Sequence, residues 1–238
     1  MRILILLVGL ILYSEYGQGI DKVIYGQDGR VEVRDLKSRK MFEISKSVAA
    51  QISKAKFEKL GDKFLINFAN SNLGKKLNLC KEEKFRNQPS LVNCSGFLYS
   101  KNEIMTAGHC FSRSRRCESY YWVFDFNLDR VEKGFLPQSN VYRCKNIKFI
   151  KMDYISGEDY AVIELDREVV NRTPLTLGLN TSIYRGVEVS VIGHSSGLPL
   201  KASLGAGLQN GVAGFMEPFA SESIFTQALV DSVIRAPG

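Results

Sequence analysis

The chain has 238 residues, 45% of them hydrophobic and 24% charged, with a formal net charge of +7. That length holds one large or two small domains with a proper core, and the balance excludes a fibrous or low-complexity chain. The basic excess is local: 16 Lys and Arg stand against 9 Asp and Glu from Asp21 to Arg86, and 15 against 15 from Asn87 onward. The lysines are scattered and no aromatic residues are interleaved for stacking, so a solvated basic face is expected and nucleic acid is not.

Residues 1–19 stand apart. Arg2 is a basic start, Ile3 to Tyr13 an uncharged and mostly apolar run, and Gly17-Gln18-Gly19 supplies small residues for a signal peptidase. A bilayer crossing takes about 20 apolar residues, so the run predicts export to a secreted or periplasmic location without stable membrane anchoring. No cysteine follows it closely, which argues against a bacterial lipid anchor.

Residues 20–69 form a second segment. Val23-Ile24-Tyr25-Gly26 is a short extended run ending in glycine. Ser45 to Leu60 is predicted as a helix: Val48, Ile52 and Ala55 share a helical face, Ser45 offers a cap and Gly61 a stop. This helix either packs outside the body or belongs to a propeptide-like leader removed in processing. Lys63 to Phe68 reads as a strand, Asn70 to Gln88 as a polar loop, and Pro89 marks the entry to the next block.

Cys94 to Cys110 reads CSGFLYSKNEIMTAGHC. Two short apolar segments joined by a polar turn form a strand pair that brings the two cysteines within bridging distance. All five cysteines fall between Cys80 and Cys144. Export oxidises them, and the absence of a C-x-x-C pair argues against zinc. Cys94 pairs with Cys110 and Cys117 with Cys144, each of the latter flanking a strand-like run; Cys80 is left over.

The C-S-G and T-A-G-H-C elements resemble the histidine block of the trypsin and chymotrypsin serine endopeptidases. The resemblance implies an all-β fold of two chymotrypsin-type barrels and peptide-bond hydrolysis through an acyl-enzyme, with no metal or organic cofactor. It makes His109 the general base and later the general acid. In such a family a freed amino terminus docks into the body, which for Val23 requires a further trimming step.

After a basic loop with Arg113, Arg115 and Arg116, Tyr120 to Phe126 and Val141 to Lys151 read as strands. Glu158-Asp159-Tyr160-Ala161-Val162-Ile163-Glu164-Leu165 resembles the family's D-[IY]-A-[LV]-[LI]-x-L block. By position Asp159 is the acid that orients His109; Glu158 is the rival, disfavoured by the residues that follow. The first barrel is expected over residues 70–170, with Asn171 to Gly178 as the crossing linker.

Residues 171–238 are expected to form a partial second barrel. Val187 to Ile192 reads as a strand, Ala202 to Gly214 as a glycine-rich hairpin, and Ser223 to Asp231 as a strand. Gly193-His194-Ser195-Ser196-Gly197 matches G-x-S-x-G, the nucleophile elbow of an esterase with Ser195 as nucleophile. Three features oppose that reading: Leu198-Pro199-Leu200 is a poor helix start, no histidine follows His194, and strands do not alternate with helices. The segment instead resembles the G-[YH]-P-x-G-x-P stretch of bacterial glutamyl endopeptidases. No serine stands in the family's G-[ND]-S-G-[SG]-P context; Ser221, Ser223 and Ser232 lack the glycines. The expected parent is thus a secreted endopeptidase acting on protein or peptide substrates. The 238 residues are expected to be an inactive fragment of it, with the second barrel cut short. The rival of a different class is a non-catalytic, protease-like binding module.

Overall fold

The computed structural model describes residues 29–111, 117–153, 155, 157–178 and 188–207. The predicted secretory signal, the run Val23 to Gly26, the basic loop at Arg113 to Arg116, the strand over Ser223 to Asp231 and the serines after it lie outside these residues.

Among the described residues there are twelve strands and three short helices. β1 (Arg30–Glu32) leads to α1 (Arg39–Ser45), whose first turn is capped by Ser38 accepting the Met41 N–H. β2 (Val48–Ser53), β3 (Phe57–Leu60) and β4 (Lys63–Ile66) follow, then α2 (Leu73–Lys76), capped by the Asn72 side chain. β5 (Val92–Ser100), β6 (Glu103–Thr106) and β7 (Tyr120–Phe124) precede α3 (Leu128–Lys133), which Asn127 caps. β8 (Phe135–Pro137), β9 (Val141–Asp153), β10 (Glu158–Leu165), β11 (Glu188–Gly193) and β12 (Lys201–Gly207) complete the described order.

Six strands close into an antiparallel barrel in the order β10-β6-β5-β2-β7-β9. Side chains alternate across its wall, as a period of two requires. Leu98, Ile104, Trp122, Phe124, Tyr142, Ile163 and Leu165 fill the interior with almost no exposure. Ile52, Val123 and Val141 point outward instead, and meet Phe64 and Leu136 of a three-stranded sheet, β3-β4-β8. On another side Val48, Phe97 and Met105 meet Ile192 and Ala202 of a second three-stranded sheet, β1-β12-β11, and Leu200 just before β12. The fold is the expected one: mostly β, with a closed first barrel and, among the described residues, part of a second.

Two expectations are corrected. Ser45 to Leu60 is not a helix. It holds the end of α1, then β2, a 3-10 turn and β3. Val48 and Ile52 are four apart, a spacing shared by one face of a helix and one face of a strand. Five consecutive residues, Val48 to Ile52, are wholly buried, which no half-buried helix permits. Gly61, read as a helix stop, instead turns β3 into β4 with φ +59°.

The barrel also begins before Asn70, because β2 is one of its members. β2 pairs with β5 on one edge and β7 on the other. It is a central strand, and a leader comprising residues 20–69 would take it away and open the barrel.

The linker crosses without regular structure. The Leu175 N–H bonds to the Leu98 carbonyl at 2.8 Å, and the Ser47 hydroxyl to the Thr173 carbonyl at 2.7 Å. Further bonds join the barrel to the second sheet: Leu91 N–H to the Gly197 carbonyl at 2.9 Å and Leu200 N–H to the Phe126 carbonyl at 2.8 Å. The beginning of the second half is thereby seated on the first barrel.

Candidate active site

The register of β6 and β10 builds the site. Thr106 lies opposite Ala161 in that antiparallel pair. The chain leaves β6 through Ala107 and makes a 3-10 turn, Gly108–Phe111, that carries His109. Stepping two residues back along β10 from Ala161 reaches Asp159. Antiparallel geometry therefore delivers the histidine and the aspartate to the same end of the barrel, although 50 residues separate them.

The turn is held from beneath. A disulfide joins Cys94 of β5 to Cys110, with Cα atoms 6.2 Å apart, and a second joins Cys117 to Cys144. Thr106, fully buried, donates its hydroxyl hydrogen to the Ser95 carbonyl at 2.7 Å. Cys80 is free and exposed.

His109 Nδ1 lies 2.6 Å from Asp159 Oδ2, and the His109 backbone N–H donates to Asp159 Oδ1 at 2.8 Å. Both side chains are largely shielded, with 17% and 11% of their surface exposed. Burial alone would raise the Asp159 pKa. Hydrogen bonds from the His109 ring, the His109 N–H and the Gly108 N–H outweigh it, and the carboxyl ends below its ordinary value of 3.8. An ionised carboxylate only accepts, so Nδ1 carries the hydrogen and Nε2 keeps the basic lone pair. Such a ring, held by two hydrogen bonds from one residue to one carboxylate, is set to take a proton at Nε2 and to have its cation stabilised.

Glu158 does not compete for the histidine. Adjacent strand residues face opposite ways, and Glu158 pairs at the surface with Lys151 at 3.1 Å. Gly108 is a site residue whose need the sequence did not disclose. A Cβ there would collide with the Lys151 carbonyl and lie 3.0 Å from Asp159 Oδ1. Its bare backbone lets the turn seat against β9 and bond the carboxylate. The obstacle comes from a strand more than 40 residues away, so no local pattern reveals it.

Cys94, His109 and Cys110 lie close enough to suggest metal ligands. The two cysteines share a disulfide and have no thiolate to offer, so the donor set does not fit a metal.

The G-x-S-x-G stretch is built differently. Ser195–Gly197 is a single 3-10 turn after β11, and Leu198 is extended where an elbow would enter a helix. His194 is buried; its backbone N–H donates to Ser95 Oγ at 2.8 Å, and Nδ1 lies 3.0 Å from the Leu198 carbonyl. That carbonyl fixes the hydrogen on Nδ1. Burial lowers the His194 pKa to about 3, so the ring is neutral. Ser195 Oγ and His194 Nε2 have no hydrogen-bond partner among the described residues. This is a joint between the two halves, with no acid oriented on the histidine among the described residues.

Among the described residues no helix is long and apolar enough to cross a membrane. No curated protein sequence matches the chain. Among solved structures it is similar to the VesB protease of Vibrio cholerae, with 17% identity and a TM-score of 0.41 over 66% of this chain and 40% of that one. It is similar to VesC, a secreted serine protease of Vibrio cholerae, at 16% identity and a TM-score of 0.42 over 66% of this chain and 27% of that one. A Glu endopeptidase shows 15% identity and a TM-score of 0.44 over 79% of this chain and 71% of that one. The chain thus spans well under half the length of the two Vibrio proteins. Residues 94–231 match the trypsin-like peptidase domain. That match takes in more than half of the sequence, and the chain belongs to the trypsin-like peptidase family.

Proposed function

We propose that this protein is a secreted serine-type endopeptidase in which His109 is the general base and acid and Asp159 orients it. The observation that carries the reading is the paired contact of His109 with one carboxylate, 2.6 Å from the ring and 2.8 Å from the backbone N–H. In the proposed step His109 Nε2 takes the proton of a serine hydroxyl as the oxygen attacks the scissile carbonyl, then returns it to the leaving amine. Asp159 stays ionised throughout and stabilises the imidazolium.

The serine is the missing partner. None of the serines in the 238 residues has the glycine-rich context of the family's nucleophile. In this reading the nucleophile, the oxyanion donors and the specificity pocket belong to a continuation of the chain. The 238 residues alone then hydrolyse peptides negligibly, since removing the nucleophile leaves only what binding and the oxyanion hole supply. Residues 1–19 act as the secretory signal, and the two disulfides suit an oxidising compartment.

The same lack of a nucleophile favours the second reading, a protease-like binding module. The gene beyond Gly238 separates the two. An in-frame G-[ND]-S-G-[SG]-P and fluorophosphonate labelling of the full product support the enzyme. An unrelated continuation, with tight partner binding and no labelling, supports the module.

A further inference from the structure

We infer that Glu32, Gln88 and Lys201 form a buried polar latch that makes the segment from Arg30 a permanent part of the folded protein, so that any processing cut falls before Arg30. The inference does not depend on the catalytic role of His109.

β1 is short but firmly placed. Arg30, Val31 and Glu32 lie opposite Ser203, Ala202 and Lys201 of β12. Val33, next in the chain, is 3% exposed and packs in the apolar cluster with Ile192, Leu200 and Ala202. Arg34 then reaches Asp129 at 3.0 Å and Glu132 at 3.2 Å on α3.

The latch lies within this contact. Glu32 and Lys201 retain only 7% and 2% exposure. Lys201 Nζ donates to Glu32 Oε2 at 3.1 Å and to the Pro199 carbonyl at 2.8 Å. Gln88 Nε2 donates to Glu32 Oε1 at 2.8 Å, so each oxygen of the carboxylate is engaged by a different element. Lys201 Nζ also lies 4.9 Å from the centre of the Phe85 ring. The N-terminal strand, the loop before β5 and the second sheet converge on one carboxylate.

This arrangement bears on maturation. A buried ammonium is tolerated when its counter-charge is present, and removing one partner leaves an uncompensated charge in an apolar place. Burial already lowers the Lys201 pKa to about 8 against the opposing pull of Glu32. Cutting after Glu32 would remove that counter-charge along with one of the three described strands of the second sheet. A leader designed for removal has no reason to supply the only carboxylate that Lys201 meets among the described residues.

The experiment uses the full chain with Glu32→Gln, Lys201→Met and the double variant Glu32→Leu/Lys201→Met. Each single change is expected to lower Tm by roughly 10 °C, and the double change to recover most of the loss, because an apolar pair leaves no stranded charge. In parallel the wild type is digested under native conditions with a Lys-specific endoprotease and run on a sizing column. The peptide carrying Glu32 is expected to stay with the body even when Lys37 or Lys40 is cut. Single variants as stable as wild type would overturn the latch. So would separation of that peptide from a wild-type body whose melting is unchanged, and this arm decides even where a single variant fails to fold.

Discussion

Acid acts on this protein through His194. Its pKa falls from an ordinary 6.5 to about 3 because burial disfavours the imidazolium. Between those values the unfolded chain holds a proton that the folded chain refuses. The contribution is therefore complete above pH 6.5 and is lost as pH falls toward 3, by up to roughly 5 kcal/mol. Urea midpoints measured from pH 7 to pH 3.5 should fall in wild type, and His194→Gln should flatten that fall; parallel curves would contradict the account. Asp159 adds a later loss. Its folded pKa lies below 3.8, so its contribution is intact above that value and disappears only as pH drops through the folded pKa. Gly108 is the other residue with a sharp expectation. Gly108→Ala places a methyl against the Lys151 carbonyl and should cost about 1–3 kcal/mol. It should also shift the downfield proton resonance of His109 Nδ1–H, since the turn must lift from β9. With two histidines in the chain, the ring signals are readily assigned. An unmoved resonance and midpoint would show that the turn tolerates a side chain.

At the scale of elements, the barrel's wall is legible where apolar or loosely alternating runs stand between polar stretches. Tyr120 to Phe126, Val141 to Lys151 and Glu158 to Leu165 all read as strands, and β7 (Tyr120–Phe124), β9 and β10 lie there. The failure at Val48 to Ile52 has a physical cause. β2 is buried on both faces and paired on both edges, so it shows no polar alternation, and its apolar residues four apart fit either period. The true helix lies just upstream, in α1, where Ser38 rather than Ser45 is the cap. The loop from β6 to Cys110 depends on covalent closure. Cys94 and Cys110 are 16 residues apart, and Cys94→Ala/Cys110→Ala should lower unfolding free energy by about 3 kcal/mol in denaturant. No change in midpoint would mean that hydrogen bonds and packing hold the turn unaided.

For the molecule as a whole, local pattern reveals what lies within one element and hides what depends on assembly. T-A-G-H-C and the strand after Asp159 point to both members of the proposed dyad from sequence alone. The Glu32–Lys201 contact spans 169 residues and joins two stretches with no motif between them, so only the folded chain discloses it. The same holds for Gly108 and its obstacle at Lys151. In the proposed reading the His109–Asp159 pair serves a serine nucleophile that none of the 238 residues provides in the family's context. The direct measurement is peptide hydrolysis by the full gene product, by its His109→Ala variant, and by the 238-residue chain. Turnover by the full product is expected, with a loss on the order of a thousandfold or more on removing His109 and a negligible rate from the 238 residues. Hydrolysis by the 238-residue chain that His109→Ala abolishes, or a full product inert to both peptide and fluorophosphonate, would contradict it.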